Sequence, residues 1–186
     1  MTKPYVVGVS GSRRNGSHTL KTIREILHAA ETVGARTDCI DLGSVDLPLY
    51  HPDRDDQGES ARLTELVRDA DAVVLGSPVY HGSYSSTFRN FHDYCSSDEF
   101  EDTAVALVAV AGGSTYTATL DHMRSTVRGV HGNVIPEQLG VPSASSKFEN
   151  GELVDDALAE RVTDLADALV THARRLSDSK PPHLNH

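Results

Sequence analysis

The chain has few cysteines, few lysines and no long apolar run. Its two cysteines, Cys39 and Cys95, show neither C-x-x-C nor metal-ligand spacing, so we expect two unpaired, buried thiols in a reducing cytoplasm. Acidic side chains outnumber basic ones by 27 to 17, and the net charge of −10 argues against nucleic acid or an anionic membrane as the main partner. The longest apolar stretch, AVALVAVA, is far too short to span a bilayer, and the amino-terminal residues show no secretion signal. The sequence therefore predicts a cytoplasmic protein without a membrane anchor.

Metal-binding patterns are also missing. The chain has 10 histidines, but none of them forms H-E-x-x-H or another ligand spacing. We therefore expect no metal site.

Short apolar runs alternate with segments of helical spacing along most of the chain. Strands are predicted at 5–10, 36–42, 71–77, 103–111 and 133–142, and the run at 5–10 is continuous, as in a strand covered on both faces. Helices are predicted around 20–33, 63–67, 85–95, 120–127 and 158–176. This order predicts an α/β fold with a doubly wound, five-stranded parallel sheet and helices on both faces, formed as a single domain by residues 1–176. Residues 177–186 have the composition of a disordered tail.

Three loops rich in glycine or serine, at 10–17, 77–86 and 111–116, each follow a predicted strand. Ligands of such sheets bind outside the carboxyl ends of the strands. The three loops therefore predict one shared binding site.

The first loop lies within GVSGSRRNGSHT, residues 8–19, and has the composition of an anion site. Backbone N–H groups at a helix amino terminus bind anions, and hydroxyls with Arg13 or Arg14 would add donors. The alternative is a plain strand–helix turn, which would need only one capping residue. Ser17 stands where an NTPase P-loop requires lysine, and neither G-x-G-x-x-G nor G-x-S-x-G is present. The loop also lacks a phosphatase cysteine, so it favours a monophosphate held without reaction.

These segments resemble a known family. GSRRNGSHT is similar to the G-S-x-R-x-x-S-x-[NT] phosphate loop of the NADPH-dependent FMN reductase family, which has a flavodoxin-like fold. SPVYHGSYSSTFRNFHDY resembles the second signature of that family, and AVAGGSTYTATLDHMR resembles its third loop and helix. With the closing helix, the resemblance extends to about residue 176.

The resemblance implies a set of cofactor-binding residues. The FMN phosphate would be held by Ser10, Ser12, Arg14, Ser17 and Thr19. The isoalloxazine would be wrapped, mainly through backbone groups, by Pro78, Val79, Tyr80, His81, Gly82 and Ser83, and approached from its other edge by Gly112, Gly113 and Ser114. Val79 stands where the family commonly has glutamate, and His81 where it commonly has asparagine.

The resemblance also implies an activity. FMN would pass a hydride from NADPH or NADH to a flavin, a quinone, an azo compound or a similar small acceptor, and no catalytic side chain is needed. A homodimer or homotetramer is implied as well. The alternative is a flavodoxin-type electron-transfer protein that acts with a protein partner and without NAD(P)H turnover. The acidic surface favours that alternative, whereas the two arginines of GSRRNGS disfavour it, since flavodoxin phosphate loops typically lack arginine. Nothing in the sequence supports a flavin-binding sensor without turnover.

Overall fold

The computed structural model describes residues 3–55 and 57–179, and for residues 178 and 179 it describes the backbone only. Its strands are β1 (Tyr5–Ser10), β2 (Arg36–Asp41), β3 (Ala72–Pro78), β4 (Ala104–Val110), β5 (Asn133–Val141), β6 (Phe148–Glu149) and β7 (Glu152–Leu153). Its α-helices are α1 (His18–Thr32), α2 (Ser60–Arg68), α3 (Ser86–Asp93), α4 (Ser97–Phe100), α5 (Thr117–Gly129) and α6 (Asp156–Ser179), and a 3-10 turn spans Ala144–Ser146. Helix α6 thus includes residues 177–179, which were predicted to belong to the tail. The rest of that predicted tail, 180–186, lies outside the described residues.

The first five strands form one parallel sheet in the order β2-β1-β3-β4-β5. This is the strand order of flavodoxin-like folds, so the predicted fold class is confirmed. Strand β5 lies at an edge, and its register against β4 shifts between Val105 and Leu107. The shift falls beside Pro136, which lacks the N–H that a regular ladder requires.

Each face of the sheet is covered by its own set of helices. Side chains of α1 and α6, such as Ile23, Ile26 and Leu165, pack on one face, where β1 contributes Val6. Side chains of α2 to α5, such as Phe88 and Met123, pack on the other face, where β1 contributes Val7 and Val9. The alternation within β1 follows from the two-residue period of a strand. All seven residues of β3 and of β4 are buried, which is why these strands read as continuous apolar runs.

The two thiols differ in exposure. Both are unpaired, and Cys95 is buried as predicted, but Cys39 is exposed. The prediction of a buried Cys39 was wrong because β2 is an edge strand, whose burial pattern is mostly exposed or intermediate.

Within the described ranges, no helix combines the length and the apolar character needed to cross a membrane. In the same residues, no group of three histidine, cysteine, aspartate or glutamate side chains is placed to hold a metal ion.

Candidate functional site

A cavity of about 480 Å³ opens at the carboxyl ends of β1, β3, β4 and β5. It is lined by Ser12, Arg14, Ser17, His18, Thr19, Pro78, Val79, Tyr80, Val110, Ala111, Gly112, Ala144 and Ser145. These residues come from all three predicted loops and from the loop after β5. The structure therefore brings the three loops together, as the sequence predicted.

One end of the cavity is formed by the first loop and the start of α1. Ser17 caps the helix, since its Oγ accepts a hydrogen bond from the N–H of Leu20 at 3.2 Å. The N–H groups of His18 and Thr19 lie in the first turn, where a helix supplies no acceptor. The Thr19 hydroxyl has no hydrogen-bond partner among the described residues, although its side chain is almost fully buried. Unpaired donors thus point to an anionic ligand at this end.

The charges around the first loop are positive, in a chain that is acidic as a whole. Five basic residues and no acidic residue lie in the segment 3–24, namely Lys3, Arg13, Arg14, Lys21 and Arg24. Arg14 forms no ion pair with any described carboxylate. Burial lowers the pKa of His18, and the charges of Lys21 and Arg14 lower it further, so the imidazole is neutral near pH 7. An anion in the cavity would be attracted by this field.

The second loop closes into a tight turn. The N–H of Tyr80 donates to Ser83 O at 2.9 Å, and the N–H of Ser83 donates to Tyr80 O at 3.0 Å. Between them, His81 and Gly82 have positive φ angles of 51° and 76°, as a two-residue hairpin turn of type I′ requires. Histidine tolerates this conformation better than most residues.

This turn limits which backbone groups a ligand can use. The N–H groups of Tyr80 and Ser83 close the turn, and that of Val79 donates to Val110 O at 2.9 Å. Only the N–H groups of His81 and Gly82 have no acceptor in the described chain. The N–H groups of His81 and Gly82 are therefore the backbone donors that this turn leaves for a ligand.

The first and second loops are joined by a buried serine. The Ser85 hydroxyl donates to Gly11 O at 2.5 Å and accepts from the N–H of Phe88 at 3.0 Å, which makes Ser85 the N-cap of α3. Its own N–H donates to Ser77 Oγ at 2.9 Å. A side chain at Gly11 would place its Cβ 2.8 Å from Phe88 Cβ, so only glycine allows this close approach.

Several predicted residues lie near the cavity without lining it. Ser10 is fully buried in β1, and its hydroxyl has no partner in the described structure. His81 and Gly82 form the exposed tip of the turn, and Ser83 lies at its base. Gly113 and Ser114 are exposed in the third loop, where Gly113 O accepts from the N–H of Ser143.

Five lining residues were not predicted: His18, Val110, Ala111, Ala144 and Ser145. His18 lies between the predicted residues Ser17 and Thr19, and Val110 and Ala111 directly precede the predicted Gly112. Their position in the sequence was therefore the signal by which they could have been found. Ala144 and Ser145 follow β5, which gave no motif. The His18 ring stacks on Phe148 with centroids 5.3 Å apart, and this contact between distant segments has no local signal.

Gly-rich loops, unpaired donors and a positive helix terminus are the features of a phosphate-binding site in a flavodoxin-like fold. Comparison with known proteins agrees. The sequence profile of the family described as NADPH-dependent FMN reductase matches residues 4–146. The chain therefore belongs to the NADPH-dependent FMN reductase family.

Two relatives and one solved structure illustrate the match. An NADPH azoreductase of Bacillus sp. (strain OY1-2) is 39% identical over 120 residues. The aligned part makes up 63% of this chain and 66% of that relative, which is just under two thirds of its length. An FMN-dependent NADPH-azoreductase of Staphylococcus haemolyticus is 30% identical over 172 residues, 88% of this chain and 92% of the relative. The flavoenzyme NAD(P)H:(acceptor) oxidoreductase FerB from Paracoccus denitrificans shares the fold with a TM-score of 0.77 and 21% identity, over 92% of this chain and 98% of FerB.

Proposed function

We propose that this protein is an FMN-dependent NAD(P)H oxidoreductase that reduces a small acceptor such as a flavin, a quinone or an azo compound. The observation that carries the proposal is the cavity at the carboxyl ends of the strands, which joins the unpaired donors of the first loop to a wall formed by Pro78, Val79 and Tyr80. The two relatives are described as azoreductases that use NADPH, which favours NADPH as the donor and an azo compound among the acceptors.

In this proposal, the first loop holds the FMN phosphate. Ser12, Ser17 and Thr19 would donate through their hydroxyls, and Arg14 would supply the neutralising charge. Ser10 would support the loop from below, since it is buried and does not line the cavity.

The second and third loops would hold the ring. Pro78, Val79 and Tyr80 would form one wall of the ring site, and Gly112 would approach the opposite edge. The N–H groups of His81 and Gly82, and those of Gly113 and Ser114, would be the donors nearest to it. FMN, when bound, supplies the two-electron chemistry, and fixed backbone donors favour the negative charge of its reduced form. The chain itself then needs to bind and orient, and no side chain needs to act as nucleophile or general base.

We also propose a cytoplasmic homodimer or homotetramer with one FMN-binding domain formed by residues 1–176. Large apolar side chains are exposed on the loop after β2 and near the cavity, namely Leu49, Tyr50 and Tyr80. A partner subunit would cover such side chains. Sedimentation measurements on the purified protein test this part.

The activity is tested by an absorption spectrum of the purified protein and by steady-state oxidation of NADPH and NADH, each with FMN, a quinone or an azo dye as acceptor. Acceptor-dependent oxidation supports the proposal. A protein that binds FMN but oxidises neither nucleotide with any acceptor would instead fit the electron-transfer alternative. A protein that does not bind FMN would overturn both.

A further inference from the structure

The tip of the turn at Tyr80–Ser83 has little packing to hold it. His81 and Gly82 are exposed, and a Cβ added at Gly82 would meet no atom within 4 Å. The backbone on either side is anchored, by the bond from Val79 N–H to Val110 O and by the buried Ser85. The tip carries the two free N–H groups, so its position decides where they point.

One side-chain hydrogen bond joins the base of the turn to a different element. The Ser83 hydroxyl and Nδ1 of His122 lie 2.9 Å apart, and His122 is on α5. The ring of Tyr84 meets the same imidazole edge-on, with centroids 6.4 Å apart, and meets Phe88 on α3 at 5.2 Å. His122 therefore contacts two consecutive residues where the turn leads towards α3.

We propose that His122 is a positioning residue, which holds the turn at Tyr80–Ser83 against α5 and so fixes the N–H groups of His81 and Gly82 towards the flavin ring. The proposal rests on the proposed function, because it assigns the turn to flavin binding. Helix α5 follows directly from the third loop, so the Ser83–His122 bond also ties the second loop to the element that carries the third. His122 itself does not line the cavity and acts through the turn, chiefly through its hydrogen bond with Ser83.

The test compares His122→Ala with His122→Asn and with a control. An asparagine amide can reach the position of Nδ1, so His122→Asn should keep the bond that His122→Ala removes. Ser125→Ala, an exposed change on the same helix, is the matched control. Ser83→Ala should reproduce the effect of His122→Ala, and the double variant should add nothing further because both remove one interaction.

Two measurements are made on each variant. Amide hydrogen exchange of Tyr80 and Ser83, whose N–H groups are hydrogen-bonded within the turn, should become about threefold to tenfold faster in His122→Ala without flavin, the range for losing one side-chain hydrogen bond. The dissociation constant for FMN, from fluorescence titration, should rise by a similar factor. His122→Asn and Ser125→Ala should match the unchanged protein in both.

The outcomes separate this inference from the proposed function. If the unchanged protein binds no FMN, the proposed function itself fails. If FMN binds and His122→Ala alters neither measurement, or alters exchange without altering FMN affinity, His122 is not a positioning residue. If His122→Asn is as impaired as His122→Ala, the Ser83 bond is not the cause and the inference is overturned as well.

Discussion

Replacing Ser85 with alanine should destabilise the protein more than any exposed change beside it. Ser85→Ala removes the N-cap of α3, a loss of about 1 kcal/mol. It also leaves the carbonyl of the buried Gly11 without a donor, which costs about 1–3 kcal/mol. The bond from the Ser85 N–H to Ser77 Oγ does not depend on the side chain and remains. We expect a total loss of about 2–3 kcal/mol in the free energy of unfolding, since the two effects share one hydroxyl.

Urea denaturation without flavin measures this loss. For a slope of about 2 kcal/mol/M, the midpoint should fall by about 1 M. Ser86→Ala, the adjacent exposed position, is the control and should stay within about 0.5 kcal/mol of the unchanged protein. A Ser85→Ala variant as stable as this control would refute the assignment of Ser85 as the buried link between the first and second loops.

Four further predictions concern the ligand and the pH response. Arg14→Ala should weaken FMN binding by about 1.5–3 kcal/mol, as measured by calorimetry. Arg13→Ala should weaken it less, because Arg13 lines a separate groove beside Leu47. The reverse order would contradict the assignment of Arg14. FMN should bind more tightly than FAD in parallel titrations, because the first loop would crowd an adenylate, and equal affinity would count against this geometry. Double-reciprocal plots should be parallel, as for ping-pong kinetics at one shared face of the flavin, whereas a demonstrated ternary complex would exclude that mechanism. Burial, with a smaller effect from Arg89, lowers the pKa of His92 from 6.5 to about 4. The free energy of unfolding is therefore at its full value with respect to this histidine above pH 6.5, and it falls by up to about 3 kcal/mol as the pH decreases towards 4. In urea titrations at pH 7, 5.5 and 4.5, His92→Phe should lack this part of the acid decline, and an unchanged decline would show that other groups cause it.

The strands and the convergence of the loops could be predicted because each rests on a local rule. Continuous apolar runs such as that of β4 require burial on both faces, and parallel strands bring the loops at their carboxyl ends to one edge. The composition of the first loop likewise indicates an anion site from neighbouring residues alone. The order of the strands in the sheet did not follow from such rules, and so the exposure of Cys39 on the edge strand was missed.

By itself, then, the sequence indicated the α/β fold and an anion site at the carboxyl ends of the strands, since composition and periodicity act over a few residues, whereas FMN was implied by the family resemblance. The tertiary structure alone decided which groups face the cavity. His18 stacks on Phe148 and Ser83 meets His122 only after distant segments pack together. The closure of the turn likewise decided that His81 and Gly82 keep free N–H groups while Tyr80 and Ser83 do not. A backbone N–H finds its intramolecular acceptor only once the chain has folded. The set of N–H groups that remains available to a ligand is therefore a property of the fold.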